Sequence, residues 1–247
     1  EFIDQKGRTT SAEIVQFFGV SRQYVNVVIS SLLQEKQIYK LGSTRSAFYV
    51  SLLYAKEHSE VFPSFFKKRF TNKNLEEHRV LMEVEEKFPR LLDLPDNVKS
   101  IFAFAFSEMF NNAIEHSGSK DIILQLSLQN NVLTFVVEDN GVGVFRNIQK
   151  KRGLANETEA IQDLLKGKTT TMPKSHSGEG IFFTSKAGDR FILDSFDQQL
   201  LVEPIKNNIQ IRTLFKRKRG TRVTFELSIH SQVHLTEIFR RYTNIDP

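Results

Sequence analysis

Residues 106–116 read FSEMFNNAIEH, a pattern that predicts a helix with an apolar and a polar face. Glu108 and Asn112 are four positions apart and therefore share one face of that helix. In one cavity the two would have a chemical use, because Asn112 can bind Mg²⁺ through its oxygen and Glu108 can deprotonate a water or a hydroxyl. A helix face exposed to solvent would explain the same residues. This motif alone leaves both interpretations open.

Residues 136–143 read VVEDNGVG, which indicates an apolar strand that ends in acidic residues and two glycines. The carboxylate of Asp139 can accept a hydrogen bond from an exocyclic amine. Gly141 and Gly143 would let the backbone approach a flat ring closely. An ordinary Asn-Gly turn between two strands is the competing interpretation.

Two more glycine motifs follow later in the chain. Residues 176–183 read HSGEGIFF, and Gly-x-Gly at the start of a helix presents free backbone N–H groups to a phosphate. Residues 220–225 read GTRVTF, a glycine–threonine step that enters a late strand. Each motif is weak evidence by itself, but the order and spacing of all four are specific.

Together the four motifs resemble the N box, the G1 box, the G2 box and the late Gly-Thr strand of the GHKL ATPase superfamily, over roughly residues 75–230. The Ser-Glu-x-x-x-Asn-Ala pattern of residues 107–113 is similar to the anti-sigma-factor serine kinases, whereas typical histidine kinases carry Asn at the position of Glu108. The resemblance implies an α/β fold, the two-layer α+β sandwich called the Bergerat fold, with ATP and Mg²⁺ as cofactors.

The resemblance also implies a role for each matching residue. Asp139 would bind the adenine amine, and Thr221 would support the adenine through water. Asn112 would be the Mg²⁺ ligand and Glu108 the general base. The other implied ATP-binding residues would shape the base pocket, line the cleft or wrap the phosphates: Asn111, His116, Gly141, Gly143, Gly178, Glu179, Gly180 and Ile181.

Residues 9–50 predict a short helix, a longer helix and a small hairpin. Gly19 allows a tight turn and Ser21 begins the second helix, so the segment resembles a winged helix-turn-helix. Winged helices bind DNA or serve as protein contacts, and both interpretations stay open. The side chains that would reach bases or phosphates are Arg22, Gln23, Asn26, Lys40 and Arg45.

The predicted organisation is a winged-helix domain over residues 1–52, a linker over 53–74 and the ATP-binding domain over 75–247. Residues 144–177 are polar and rich in Gly and Lys, and the resemblance makes them a mobile ATP lid in which Lys174 or His176 neutralises the γ-phosphate. The basic run at residues 216–219 predicts either a nucleic-acid contact or a charged hairpin turn.

The composition excludes several classes of protein. The 247 residues contain no cysteine, so disulfides, thiolate nucleophiles and cysteine-ligated zinc are excluded. No apolar run is long enough for a membrane helix and no signal peptide is present, which predicts a cytoplasmic protein. The net charge of +5 permits a nucleic-acid partner without requiring one. Because the chain begins with Glu1, we expect it to be a segment of a longer product. The sequence leaves open whether a further C-terminal domain was removed from it.

These observations predict a bacterial-type regulator that binds ATP·Mg²⁺ and acts as a slow ATPase or a Ser/Thr protein kinase of the anti-sigma-factor type. Its expected partners are ATP or ADP, a protein partner or substrate, DNA through the winged helix, and a second copy in a homodimer. One alternative is a non-enzymatic, nucleotide-dependent DNA-binding transcription regulator. Another is a histidine kinase catalytic module, which Glu108 and the lack of a dimerisation helix disfavour.

Overall fold

The computed structural model describes residues 1–35, 37–42, 46–167 and 179–242, and the chain divides into two compact units, Glu1–Pro63 and Ser64–Pro247. The first unit has helices α1 to α4 and strands β1 to β3, in the sheet order β1-β3-β2. Both strand pairs are antiparallel. The elements are α1 (Phe2–Lys6), β1 (Arg8–Thr9), α2 (Ser11–Phe18), α3 (Arg22–Gln34), β2 (Ile38–Leu41), β3 (Phe48–Ser51) and α4 (Leu52–Glu57).

Local sequence signals set the helix ends in the first unit. Thr10 and Glu13 form a reciprocal capping box at the start of α2, and Gly19 ends that helix in the left-handed conformation. Ser21 then accepts a hydrogen bond from the Tyr24 N–H and begins α3. The helix–turn–helix order and the hairpin after it are therefore as predicted, while α1 and β1 were not predicted.

The second unit is built on a five-stranded antiparallel sheet in the order β4-β5-β6-β8-β7. Alternate residues along β5 and β6 are buried, which is the period-two pattern of a sheet with one covered face. The strands are β4 (Phe65–Thr71), β5 (Asp121–Gln129), β6 (Val132–Asp139), β7 (Arg190–Glu203) and β8 (Asn208–Ser228).

Helices cover that face of the sheet and complete a two-layer α/β sandwich, which confirms the predicted fold class of this unit. The central helix, α6, buries Phe106 and Phe110, whose rings stack at 5.3 Å, and Phe106 meets Phe135 of β6 edge-on. None of the described helices has both the length and the apolarity of a membrane span. The helices are α5 (Glu77–Lys87), α6 (Asp96–His116), α7 (Val144–Arg152), α8 (Glu157–Leu165), α9 (Glu179–Ala187) and α10 (Leu235–Tyr242).

The predicted linker over residues 53–74 is wrong. Its first part includes most of α4, and Ala55 and Phe62 are buried in a cluster with Val50 of the first unit. Its last part is the strand β4, which pairs with β5 along its whole length. The strand β4 is held by pairing with residues that are distant in the sequence, and local composition does not show such contacts.

The described part of the predicted ATP lid contains regular structure. Residues 144–167 contain α7 and α8, which bury Phe145, Ile148, Ile161 and Leu164 in the core of the second unit. The rest of the predicted lid, with Lys174 and His176, lies outside the described residues. A segment that buries four apolar side chains is part of the folded domain and not a solvated loop.

The hairpin of β7 and β8 differs from the prediction as well. The apolar runs at residues 190–195, 199–202, 209–215 and 222–229 predict four short strands. The chain instead forms two long strands joined by a turn at Pro204–Lys206. The basic run at residues 216–219 therefore lies within β8, and the predicted charged turn at that place is wrong.

Candidate functional site

A cleft of about 560 Å³, counting the space that is open to solvent, lies beside α6 in the second unit. Apolar side chains of Met109, Val137, Ile148 and Leu193 form part of its wall. Six of the predicted site residues line the same cleft: Asn112, His116, Asp139, Gly143, Ile181 and Thr221.

Asp139 is the most deeply buried acidic group in this cleft, with 4% of its surface exposed. Its Oδ1 atom accepts hydrogen bonds from the Gly141 N–H at 2.7 Å and the Thr221 N–H at 3.3 Å. Both N–H groups bind the same oxygen, Oδ1, and a hydrogen bond from the Thr221 side chain also acts on this carboxylate.

Burial raises the pKa of Asp139, because removing a carboxylate from water disfavours its charged form. The two backbone N–H groups and the charge of Lys218 act in the opposite direction on that pKa and offset part of the effect. Lys218 Nζ also donates to the Asp139 carbonyl at 2.8 Å. The site thus holds a carboxylate that is costly to bury and surrounded by donors that favour its ionised form.

Close backbone contact holds the loop after Asp139 against the end of α6. The Val142 N–H donates to the Ser117 carbonyl at 2.8 Å. A Cβ atom at Gly141 would lie 1.8 Å from the same carbonyl oxygen, so only glycine fits there. This contact fixes the N–H of Gly141 that binds Asp139.

Glu108 lies one helical turn before Asn112 on α6 and is half-buried. Its carboxylate lies over the first turn of α9, where a Cβ atom at Gly180 would be 1.8 Å from Glu108 Oε2. The absence of a side chain at Gly180 therefore leaves the space that the carboxylate occupies. The motifs that contain Glu108 and Gly180 meet at this point, although they are about 70 positions apart in the sequence.

The remaining predicted site residues fall into three groups. Asn111 and Glu179 are half-buried and are not among the residues that line the cleft. Gly178 and Arg45 lie outside the described residues. In the first unit, the candidate DNA contacts on α3 and β2 are exposed: Arg22, Gln23, Asn26 and Lys40.

The cleft is also lined by residues that the sequence analysis did not assign to the site, among them Asn147 and Lys151 of α7. They are four positions apart and face the cleft from one side of the helix. The Asn147 side chain donates to the His116 carbonyl at 3.4 Å, while the neighbouring Arg152 pairs with Asp163 of α8. The four-residue spacing of Asn147 and Lys151 indicates a common helix face. It was not used in the sequence analysis, because residues 144–177 were interpreted as an ATP lid.

Comparison with known proteins bears directly on this cleft. The family model of the histidine kinase-like ATPase domain matches residues 71–203, which is more than half of the chain. The chain belongs to this family. No curated protein matches the chain closely enough to count as a relative. This match supports the predicted ATP-binding domain of the GHKL superfamily, and the matched range contains Glu108, Asn112 and Asp139.

In this histidine kinase-like ATPase, we expect Gly141→Ala to weaken ATP binding by about tenfold or more and to lower the melting temperature. The added methyl group would force the loop away from the Ser117 carbonyl and would break the hydrogen bond from Gly141 to Asp139. Titration calorimetry and thermal unfolding would measure both effects. Val142→Ala is the matched control, since Val142 is half-exposed in the same loop. Unchanged affinity in Gly141→Ala would contradict the expectation.

Proposed function

We propose that this protein binds ATP with Mg²⁺ in the cleft and acts as a slow ATPase or a Ser/Thr protein kinase of the anti-sigma-factor type. One observation carries the proposal. Asn112 and the buried carboxylate of Asp139 line the same cleft, and Glu108 lies one turn before Asn112 on α6. This arrangement supports the roles of oxygen ligand for Asn112, base-recognition group for Asp139 and proton acceptor for Glu108.

Recognition of the adenine is assigned to Asp139 and the backbone around it. Oδ2 would accept a hydrogen bond from the exocyclic amine, while Oδ1 stays bound to the N–H groups of Gly141 and Thr221. The Thr221 hydroxyl accepts from the Val144 N–H at 3.0 Å and is placed to bind a bridging water. Gly141 and Gly143 shape the backbone around the base.

Asn112 is the proposed Mg²⁺ ligand. Mg²⁺ usually keeps several waters and binds one or two protein oxygens together with substrate phosphates, and one amide oxygen in this cleft fits that pattern. Bound Mg²⁺ supplies charge neutralisation for the phosphates. The first turn of α9, which begins at Glu179 and includes Gly180 and Ile181, offers backbone N–H groups to an anion.

Glu108 is the proposed general base. It takes the proton of an attacking hydroxyl or water, and the resulting oxygen forms a bond to the γ-phosphorus. The bond between that phosphorus and the bridging oxygen breaks, and ADP leaves with the electron pair. The products are ADP and either inorganic phosphate or a phosphoester on Ser or Thr.

Incubation of the full chain with γ-labelled ATP and Mg²⁺ tests this proposal. The expected products are labelled inorganic phosphate or an acid-stable phosphoester on an added protein. An acid-labile phosphohistidine would replace the proposal with a histidine kinase catalytic module. Tight nucleotide binding without any turnover would replace it with the non-enzymatic nucleotide-dependent regulator.

For the first unit we propose a winged-helix recognition module that binds DNA. The turn at Gly19, the exposed polar start of α3 and the hairpin of β2 and β3 support it. A specific observation favours protein contact as a second candidate, because Tyr24 and Val27 of α3 are 60% and 68% exposed. Large exposed apolar side chains on one helix are more typical of a protein interface.

A salt-dependent DNA titration of the full chain separates these two candidates. If α3 binds DNA, we expect affinity to fall steeply with salt, and Arg22→Glu to weaken it by about tenfold or more. Val27→Ala, a change on the same helix that leaves charge unaltered, is the control. Absence of binding at low salt would remove the DNA proposal and leave protein contact.

A further inference from the structure

The outer segment of β8, defined here as residues 209–219, is a sheet edge. β8 pairs with β6 only over Arg222–Ser228, and its pairing with β7 is on the opposite side. No strand in the described part of the chain pairs with the other edge of the outer segment. Its backbone N–H and C=O groups are therefore available to an added strand.

The side chains of the outer segment combine apolar groups with positive charge. Ile209, Ile211 and Phe215 are exposed, and Phe215 is fully so. Ile209 and Ile211 are two positions apart where β8 pairs regularly with β7, and therefore share a face. The pairing with β7 is irregular between Thr213 and Lys218, and Phe215 and Arg217 lie in that stretch. Arg217 and Arg219 are also exposed. The segment contains no acidic residue, and its five cations are Arg212, Lys216, Arg217, Lys218 and Arg219.

Charge on an edge strand commonly prevents unwanted pairing, but that role does not explain the three apolar residues. Exposed isoleucine and phenylalanine on an open edge favour association with another strand. The two features together fit strand addition, in which main-chain hydrogen bonds supply affinity and alternate side chains supply specificity.

Contacts with the domain hold the inner end of the outer segment in place. Lys218 Nζ donates to the Asp139 carbonyl at 2.8 Å. The guanidinium of Arg217 lies 5.0 Å from the centre of the Phe196 ring, and Arg146 of α7 lies 3.4 Å from that ring. A strand that is already ordered loses less conformational entropy when it binds a partner.

We propose that the outer segment of β8 binds an extended acidic segment of a protein partner as an added β-strand. Apolar residues of that partner would cover Ile209, Ile211 and Phe215, and its carboxylates would pair with Arg217 and Arg219. A second copy of the outer segment would bring like charges together, which disfavours self-pairing. The proposal does not depend on the proposed nucleotide chemistry.

A peptide library displayed on phage and selected on the full chain tests this proposal. We expect the enriched dodecapeptides to be acidic, with alternating apolar residues. Synthetic versions should bind about tenfold or more weakly to Phe215→Glu and to Arg219→Glu. N-methylation of alternate peptide amides should cause a similar loss, because it removes main-chain donors. Arg240→Glu on the exposed side of α10 is the matched charge-reversal control, and thermal unfolding would verify that all variants fold.

Four outcomes would overturn the proposal. The first is enrichment of peptides without acidic residues, or of none. The second is equal binding of the enriched peptides to the wild type and to both edge variants. The third is a change of sedimentation mass in Phe215→Glu, which would assign the edge to a second copy. The fourth is tight, salt-dependent binding of a single-stranded oligonucleotide that Arg219→Glu abolishes, with no binding of acidic peptides.

Discussion

Asp139→Asn is expected to weaken ATP binding by about 100-fold or more without lowering thermal stability. Asparagine has the same shape, and its side-chain oxygen can still accept from the N–H groups of Gly141 and Thr221. Its NH₂ group then takes the position of Oδ2 and presents a donor to the adenine amine, which is also a donor. The loss of affinity would arise from that mismatch and not from a change in the fold.

The direction of the stability change follows from the raised pKa of Asp139. The native state keeps its proton to a higher pH than the unfolded chain does, so stability falls as pH rises from the ordinary Asp pKa through the raised one. Asparagine has no such dependence, and we expect Asp139→Asn to be as stable as the wild type or more stable at neutral pH. In the wild type, ATP affinity should fall as pH decreases through the raised pKa, because Oδ2 becomes protonated.

Glu138→Gln is the matched control, since it makes the same chemical change one position earlier. Burial raises the pKa of Glu138, but the hydrogen bond from Arg222 and the charge of Lys218 outweigh it and lower that pKa overall. Because the pKa of Glu138 is lower in the folded state, its ionised form stabilises the fold at pH values above the ordinary Glu pKa. This stabilisation is lost as pH falls through the pKa of the folded state. Glu138→Gln should therefore reduce stability at neutral pH and retain ATP binding. Full ATP affinity in Asp139→Asn would refute the assignment of Asp139 to the base.

Glu108→Gln is expected to reduce turnover of ATP by about 100- to 1,000-fold, while ATP affinity changes by less than about threefold. Glutamine keeps the size of the side chain, so it fits against Gly180 as glutamate does, but it cannot accept the proton of the attacking hydroxyl. The expected loss is therefore in kcat and not in binding. Phosphate release and calorimetric titration on the same preparation would separate the two quantities.

Glu115→Gln provides the control for Glu108, because Glu115 lies on the same helix but is exposed, whereas Glu108 is half-buried against Gly180. It should leave both turnover and affinity unchanged. Turnover in Glu108→Gln equal to that of the wild type would show that another group accepts the proton. A loss of ATP binding equal to the loss of turnover would instead make Glu108 part of the binding site.

Much of the second unit could be predicted from local pattern. The apolar pattern of residues 97–116 predicts the central helix, which is found at Asp96–His116. The pattern of residues 235–242 likewise predicts the last helix, which is found at Leu235–Tyr242. Both have strong helical periodicity in their apolar residues. The first strand after α6 was expected at residues 122–128 and lies at Asp121–Gln129, because its alternating pattern is unambiguous.

Long-range contacts account for the elements that were missed. β4 has few buried residues, and it is a strand because its backbone pairs with β5, for example Phe66 with Leu126. α7 follows two glycines and is rich in lysine, so its composition indicated a loop. Its helix is stabilised by burial of Phe145 and Ile148, and no local rule predicts which apolar residues a distant surface will cover.

The amino-acid sequence alone was enough to predict the family and the candidate site residues, since the spacing of Glu108 and Asn112 places both on one helix face and the residues around Asp139 and Gly141 resemble a known family motif. Tertiary structure alone decided which groups meet. It placed Glu108 against Gly180, directed Lys151 toward the cleft and left the outer segment of β8 as an open edge. The physical reason is that helical and strand periodicity depend on neighbouring residues, whereas close packing and strand pairing depend on residues far apart in the chain.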